Sequence, residues 1–292
     1  MKAPEIPVNE NERLQALRGY SILDTLPEEE FDDITRIASA ICKTPISTIT
    51  LVDSDRQWFK AAHGLNIKET PRDLAFCAHA INYKDEVFSV NDSRKDERFS
   101  DNPLVTGDPH VVFYTGVPLV SPGGYALGTL CVIDHEPRSL NDMEKQSLRA
   151  LANQVVKLFE LKKANSLVAL KEKQYRGLMD DVNDMIYELD ENGNFRFINK
   201  SVVLKTGFAE TDVLGKFYTE LIHPDDREMA VSFYVNQLKG GKATSYLELR
   251  LLTKDGQALW MGQNVKMVFE GNRVTKVAAI ARDIFTNPRS AG

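Results

Sequence analysis

The strongest constraint on the fold is the run of residues 141–181, which contains no proline and a single glycine, Gly177. Asn141 and Glu144 have the spacing of a capping box at its start. The apolar residues keep helical spacing and shift phase once. The spacing then resumes, with Lys171 at one of the positions where an apolar residue is expected. The apolar residues are Leu148, Leu151, Val155 and Leu158, then Leu161, Ala164, Val168, Tyr175 and Leu178. We predict one long helix, and because its stripe looks too narrow for a globular core, we expect it to form an imperfect parallel coiled coil in a homodimer.

The segments on both sides of this helix have the pattern of antiparallel sheets with short helices. Before it, "LPEEEFDDITRIASAICK" has helical spacing, and the strand pairs "ISTITLV" with "RQWFKAA" and "VVFYTGVPLV" with "YALGTLCVID" flank turn sequences. After it, five strand candidates begin with "MIYELD" and end with "RVTKVAAIARDI". The predicted fold class is α+β, with two antiparallel-sheet domains joined by the helix.

Composition excludes several functions for the 292 residues. The formal net charge of -6 disfavours nucleic acid and anionic membrane surfaces as partners. No apolar run has the length of a membrane span, and no signal peptide is visible, so we expect a cytoplasmic chain. The three cysteines, Cys42, Cys77 and Cys131, then read as reduced thiols.

Motifs in both parts resemble known families. The run "PISTITLVDSDRQWFKAAHGL", "TPRDLAFCAHAI", "DERFSDNPLVTG", "FYTGVPL" and "LGTLCVIDHEPRSL" resembles GAF domains over residues 10–160. The later motifs "DMIYELDENGNFRFINKSVVLKTGF", "HPDDRE" and "KVAAIARDI" are similar to a PAS domain over residues 172–286. We therefore divide the chain into a GAF-like domain at 1–160, a connecting helix at 141–181, a PAS-like domain at 172–286 and a tail at 287–292.

The resemblance implies the cytoplasmic sensory region of a bacterial signal-transduction protein, first of all the input part of a sensor histidine kinase. The kinase or cyclase domain that it controls would act in cis or in trans, and this chain would do no catalysis. The alternatives are the input region of a diguanylate cyclase or phosphodiesterase, or a GAF-type thiol enzyme similar to free methionine sulfoxide reductases. A small-molecule ligand is allowed but its identity stays open, because these folds host many functions.

The stretch "FCAHAI" places Cys77 and His79 two residues apart, and the GAF resemblance puts it on a helix. Residues two apart on a helix diverge by about 200°, which disfavours a shared metal or a thiolate–imidazole pair. We expect Cys77 to be a packed thiol in a pocket wall. Pro109, and not a cysteine, stands directly before His110, where GAF domains that bind a bilin carry their attachment cysteine. The loop from Arg94 to Val111 has no second cysteine for a reductase. Neither a cofactor nor a metal is therefore expected.

Seven residues are candidates for lining a ligand pocket: Trp58, Arg72, Phe76, Cys77, Phe113, Tyr114 and Asn199. Arg72 has the chemistry to hold an anion, or instead forms a salt bridge with an aspartate of the loop from Asn91 to Asp108. Trp58 and Phe59 are neighbours on a strand, so only one of them faces inward. Asn199 follows a strand and is expected to bond backbone rather than ligand.

Overall fold

The computed structural model describes residues 1–271 and 273–284. The chain divides into two compact units, Met1–Val168 and a second unit that begins at Ala169. The helices are α1 (Glu10–Arg18), α2 (Glu29–Cys42), α3 (Phe76–Ala80), α4 (Pro103–Thr106), α5 (Asp142–Asp180), α6 (Lys200–Thr206), α7 (Glu210–Val213) and α8 (Arg227–Lys239). The strands are β1 (Ile46–Val52), β2 (Arg56–His63), β3 (Glu69–Pro71), β4 (Phe88–Val90), β5 (Phe113–Val120), β6 (Ala126–Asp134), β7 (Met185–Leu189), β8 (Phe195–Ile198), β9 (Thr244–Leu252), β10 (Ala258–Glu270) and β11 (Arg273–Asp283).

The first unit is a three-layer domain around a six-stranded antiparallel sheet of order β3-β2-β1-β6-β5-β4. One face of the sheet packs against α1, α2 and the first part of α5 through a core that includes Phe31 and Leu148. The other face is covered by α3 and the loops after it, with Phe76 and Phe99 stacked at 4.0 Å between ring centroids. Because both faces are covered, β1 and β6 are buried along their whole length.

The long helix α5 confirms the predicted element almost to the residue. The Asn141 side chain accepts a hydrogen bond from the Glu144 amide at 2.9 Å, and the Glu144 carboxylate accepts one from the Asn141 amide at 2.8 Å. This reciprocal pair satisfies amides that the first turn would otherwise leave unbonded. At the other end of the helix, Gly177 has open space where a Cβ would lie.

The first half of α5 corrects one expectation. Leu148, Ala152, Val155 and Phe159 are buried in the core of the first domain. The stripe that begins at Leu148 is therefore a globular core face rather than the seam of a coiled coil. Four residues at 3-4 spacing are enough for this role because α1 and α2 supply the rest of the layer.

The second unit has a five-stranded antiparallel sheet of order β8-β7-β11-β10-β9. Helices α6, α7 and α8 contribute Val202, Val213 and Ala230 to the core that also contains Met185 and Met261 from the sheet. Asn199 alone connects β8 to α6, so this residue lies at the edge of the core. This arrangement leaves room between α8 and the far ends of the strands.

Most elements predicted from the pattern are confirmed, including both hairpins of the first domain and all five strands of the second. Helix α1 and the short strand β3 were not predicted, and the helix expected at "FCAHAI" is α3. The predicted tail at 287–292 lies outside the described residues. None of the described helices has the length and apolar composition to cross a membrane.

Candidate functional site

The first domain contains a small cavity of about 30 Å³ between β1, β2, β6 and α3. Three of the predicted pocket residues meet there: Phe76, Cys77 and Tyr114. The other lining residues are Thr48, Thr50, Gln57, Phe59, Leu65, Ile67, Thr70, Leu104, Pro109, Val111, Cys131 and Ile133. A space of this size accepts about one or two water molecules, far below the roughly 300 Å³ of an ordinary small-molecule pocket.

The wall of this cavity is a hydrogen-bonded polar strip. The Cys77 thiol donates to the Gln57 amide oxygen, and the Cys131 sulfur lies 3.0 Å from the Thr48 hydroxyl. Burial raises the pKa of both the Cys77 and the Cys131 thiols. Because only a thiolate is strongly nucleophilic, these thiols are chemically quiet at neutral pH.

Cys77 and His79 do not act on a common site. The His79 ring packs edge-on against Phe99 at 4.8 Å between centroids, whereas Cys77 faces the cavity. Burial and the nearby Arg98 charge lower the pKa of His79, so its ring is neutral at physiological pH. Within residues 1–271 and 273–284, no group of three His, Cys, Asp or Glu side chains is arranged to hold a metal ion.

Trp58 and Phe113 lie on the opposite face of the sheet, in the core shared with α1, α2 and α5. They do not line the cavity, because the residue next to Trp58 that faces it is Gln57. For the pair Trp58 and Phe59, it is thus Phe59 that reaches the cavity wall.

Arg72 is buried and forms an ion pair with Glu10, at 2.6 Å between Nη1 and Oε1. The predicted alternative, a partner among the aspartates of the loop from Asn91 to Asp108, is wrong because α1 brings Glu10 to the site. Glu10 also accepts two hydrogen bonds from the buried Arg13, both at 2.8 Å. Burial disfavours the charged carboxylate, but the two guanidinium groups outweigh it and lower the pKa of Glu10 to about 2. Arg72 is therefore already paired and is not free to hold an anion.

The second domain contains a larger groove of about 200 Å³ between α8, the inner face of the sheet and the β7–β8 turn. Its walls are aromatic and aliphatic, and its polar edge, here called the mouth, consists of the half-buried Asp190 and the exposed Glu191 and Asn192. The lining residues are Tyr187, Leu189, Asp190, Glu191, Asn192, Gly193, Phe217, Tyr218, Tyr234, Val235, Leu238, Val265, Met267, Val274 and Val277. The sequence predicted none of these residues as a pocket.

A hydrogen-bonded chain fixes the floor of the groove. The Tyr187 hydroxyl donates to the Gln263 amide oxygen at 2.6 Å, and the Gln263 amide nitrogen donates to the Tyr234 hydroxyl at 2.6 Å. Tyr218 stands nearly perpendicular to Tyr234, with 5.9 Å between ring centroids. Burial raises the pKa of Tyr187, Tyr218 and Tyr234, so the three phenols remain protonated.

Asn199 is buried and bonds only backbone among the contacts that the structure describes. Its side-chain oxygen accepts from the Ile186 amide at 2.9 Å, and its side-chain nitrogen donates to the carbonyls of Met179 and Asp184 at 2.9 and 3.0 Å. The Lys200 amide donates to the Asp180 carboxylate at 2.8 Å. These contacts fasten the last turn of α5 to the start of α6, as the backbone alternative for Asn199 requires.

Only one of the site residues that were not predicted could have been found from a local sequence pattern. Alternation on β2 places Gln57 on the face opposite Trp58, so Gln57 was within reach of the strand pattern. Tyr187, Tyr218 and Tyr234 come from a strand, a turn and a helix, and Gln263 is 76 positions from Tyr187. No local pattern predicts that these four side chains meet.

Comparison with known proteins agrees with this architecture. A family model for the GAF domain matches residues 26–157, and a model for the PAS fold matches residues 173–284. The crystal structure of the E. coli DhaR(N)–DhaL complex superposes with a TM-score of 0.57 at 12% identity, covering 97% of this chain and 93% of that one. At that identity the likeness shows the fold alone.

Two characterised relatives match part of the chain. A cyclic di-GMP phosphodiesterase of Pseudomonas aeruginosa is 44% identical over 138 residues, which are 47% of this chain and 23% of that protein. A methyl sulfide methyltransferase-associated sensor of Methanosarcina acetivorans is 23% identical over 168 residues, which are 57% of this chain and 16% of that protein. The chain thus spans only a small part of the length of either relative.

The two folds and their matched models define the class of protein. The chain is a GAF domain followed by a PAS domain, and it forms a GAF–PAS sensory region.

Proposed function

We propose that this chain is a cytoplasmic input region that relays the state of its two domains to an output domain through α5. The observation that carries the proposal is that α5 is built into both units. Phe159 is part of the core of the first domain, and the Met179 carbonyl and Asp180 carboxylate are bonded to the start of α6 in the second. A change that moves this helix in one unit is therefore felt by the other.

The second half of α5 carries an exposed apolar seam. We define the α5 seam as Leu161, Ala164, Val168, Lys171, Tyr175 and Leu178. Its four large apolar side chains are all exposed, for example 55% for Val168 and 68% for Leu178. These positions repeat at the a and d spacing of a coiled coil, interrupted by Lys171.

The α5 seam lies on roughly the opposite side of the helix from the core face. At about 100° per residue, Val168 is rotated by about 160° from Leu148, which is buried in the first domain. Two apolar stripes on opposite sides of one helix need two different partners. The first domain covers one of them, and we propose that a second copy of α5 covers the other in a parallel homodimer.

Light scattering of the purified chain tests this dimer. Val168→Lys introduces a charge into the seam and is expected to convert a dimer into a monomer at micromolar concentration. Leu170→Lys is the matched control, because Leu170 is 52% exposed and lies about 160° from Val168 around the helix. A wild-type monomer, or equal effects of both variants, would reject the dimer through this seam.

Cross-linking tests the parallel orientation. Leu161→Cys and Leu178→Cys lie near the two ends of the seam, so each meets its own counterpart only when the helices run in the same direction. Both variants are expected to form disulfide-linked dimers, with little background because Cys42, Cys77 and Cys131 are buried. Cross-linking between positions 161 and 178 in a mixture of the two variants would indicate antiparallel helices instead.

Two kinds of enzyme are candidates for the output domain. The GAF–PAS resemblance implies a histidine kinase first, whereas the relative from Pseudomonas aeruginosa favours an enzyme of cyclic di-GMP metabolism. We keep the kinase as the proposal and the cyclic di-GMP enzyme as its competitor. Assays on the whole gene product decide between them: autophosphorylation from ATP supports the kinase, and synthesis or hydrolysis of cyclic di-GMP supports the competitor.

We also propose that this chain does no catalysis by itself. The thiol-enzyme alternative needs a reactive cysteine, and burial keeps Cys77 and Cys131 in the protonated form. Purified wild-type chain is expected to leave free methionine sulfoxide unreduced in the presence of a dithiol reductant. Reduction by wild type that is lost in Cys77→Ser would support the enzyme instead.

A further inference from the structure

The groove of the second domain has the chemistry of a site for a positively charged ligand. Its lining residues, all within the described part of the chain, include no Lys, Arg or His. An anion placed there would lose its hydration without gaining a cationic partner, which is costly in a mostly apolar site. Anionic ligands are therefore disfavoured.

The mouth of the groove carries negative charge. Asp190 accepts hydrogen bonds from the amides of Asn192 and Asn194, both at 2.9 Å. These bonds, those of Asn194 first, lower the pKa of Asp190, so the carboxylate is ionised at neutral pH. The neighbouring Glu191 is paired at 3.2 Å with the exposed Arg273, whereas Asp190 bonds only neutral amides among residues 1–271 and 273–284.

The walls offer aromatic rings to a cation. Tyr187, Phe217, Tyr218 and Tyr234 all line the groove. Because the Tyr187 and Tyr234 hydroxyls are joined through Gln263, these two rings are held in place before any ligand binds. Ring faces attract ammonium groups, and the attraction increases when the cation is partly removed from water.

The size of the groove limits the ligand. A closed apolar cavity of about 150 Å³ accepts benzene. The groove measures about 200 Å³ and is open on one side, so it accepts a somewhat larger molecule. Val265, Met267 and Val277 line its inner part and favour an apolar body there.

We propose that the PAS domain binds a small organic cation in this groove, with an apolar body against the sheet and an ammonium group among Tyr218, Tyr234 and Asp190. This inference rests on the proposed sensory function, since it names the chemical class of the stimulus. It does not depend on the dimer or on the nature of the output domain.

Titration calorimetry on the full chain with three probes tests the charge preference. The probes are benzyltrimethylammonium, its uncharged carbon isostere neopentylbenzene, and the anion phenylacetate. The cation is expected to bind on the order of tenfold more tightly than the isostere. Phenylacetate is expected not to bind. Equal or tighter binding of the hydrocarbon or of phenylacetate, or no binding of the cation at millimolar concentration, overturns the proposal.

Variants locate the site. Tyr218→Leu removes a ring face and is expected to weaken the cation on the order of tenfold, whereas Tyr218→Phe keeps the ring and is expected to stay within about twofold. Asp190→Asn keeps the acceptor of the turn but removes the charge, and about a threefold loss is expected. Asp212→Asn is the control, because Asp212 is an exposed carboxylate of the same domain that pairs with Lys254 outside the groove.

Two outcomes separate this inference from the proposed function. If the cation binds and Tyr218→Leu abolishes the charge preference, the proposed ligand class is supported. If binding of the cation then leaves the cross-linking rate of Leu161→Cys unchanged, only the relay through α5 is contradicted. If the seam dimer forms but Tyr218→Leu binds the cation as tightly as wild type with a normal melting temperature, the ligand site is wrong and the dimer stands.

Discussion

The two domains share an antiparallel sheet covered by helices, yet they close their interiors in different ways. In the GAF domain three cationic side chains are nearly inaccessible, with exposed fractions of 1% for Arg13, 0% for Lys60 and 7% for Arg72. In the PAS domain the cations of the ion pairs are less deeply buried, at 23% for Arg250, 26% for Lys205 and 75% for Arg273. Ion pairs with a fully buried cation are therefore a feature of the first domain, whereas the second domain keeps its cations at least partly in contact with solvent.

This difference matches the difference between the cavities. Opening the GAF cavity of about 30 Å³ means moving β2 or α3, and Arg72, in the turn that leads into α3, is paired with Glu10. The PAS groove of about 200 Å³ is already open and is framed by neutral hydrogen bonds. A ligand enters the second domain without separating a buried ion pair, which is expensive. The comparison supports the proposal that the PAS domain, rather than the GAF domain, receives the ligand.

The largest expected effect comes from the helix core of the GAF domain. Phe159 packs against Phe31 at 5.4 Å and Tyr20 at 6.0 Å between ring centroids. Phe159→Ala is expected to lower the free energy of unfolding by about 3–5 kcal/mol, because it leaves a cavity. Urea unfolding followed by Trp58 fluorescence in a Trp260→Phe background measures it.

Leu170→Ala is the control for this prediction, since its side chain on the same helix is exposed. A change within about 0.5 kcal/mol is expected there. A small loss for Phe159→Ala would mean that α5 is not part of the first core, and the contrast between the halves of the helix would fail.

A somewhat smaller effect is expected at the buried ion cluster. Glu10→Gln leaves Arg13 and Arg72 without their anion and is expected to cost about 3 kcal/mol. The value stays at the low end because Arg72 keeps its bond to the Asp53 carbonyl at 3.0 Å. Glu191→Gln, at an exposed pair of the PAS domain, is expected to change stability by less than about 1 kcal/mol. Equal losses would remove the distinction between the two domains.

The same cluster makes the GAF domain sensitive to acid. The pKa of Glu10 is about 2 in the folded state against 4.5 for the free side chain. A lowered folded-state pKa stabilises the protein above pH 4.5, and this stability is lost as the pH falls toward 2. Glu10→Gln is expected to flatten the unfolding profile between these values, and a profile as steep as that of wild type would contradict the assignment.

A moderate effect is expected where the PAS domain holds α5. Asn199→Ala leaves the Ile186 amide and two carbonyls without partners and is expected to cost about 1–3 kcal/mol. Trp260 fluorescence in a Trp58→Phe background measures it, with the exposed Asn236→Ala as the control. If Asn199→Ala instead weakens ligand binding at unchanged stability, Asn199 belongs to a binding site rather than to the anchor.

The smallest effect is expected at the closed cavity of the GAF domain. Cys77→Ser exchanges a buried thiol for a hydroxyl that can still donate to Gln57, so a loss of about 1 kcal/mol is expected. Denaturation monitored at Trp58 checks the value, and Cys77→Ala gives the cost of the missing donor. A loss above about 3 kcal/mol for the serine variant would show a tighter dependence on the sulfur than packing explains.

Local patterns predicted most of the fold and little of the site. The hairpin strands, the capping box and the length of α5 depend on neighbouring residues, and these features are confirmed. The core role of Leu148 and Val155 was not predictable, because core faces and coiled-coil seams have nearly the same spacing. The partner of Arg72 lies 62 positions away in an unpredicted helix. The seven candidate residues therefore scatter: three line one cavity and four serve packing, ion pairing or an anchor.

Gly177 makes the two ends of α5 mechanically unequal. A glycine gains more backbone freedom than other residues when its turn opens, and a side chain at this position would meet only open space. A twist applied near Phe159 is held by the surrounding core, whereas a twist arriving at residue 177 is partly absorbed as local fraying. Local opening of α5 is therefore expected first around residue 177 and last around Phe159, which amide hydrogen exchange along the helix would show.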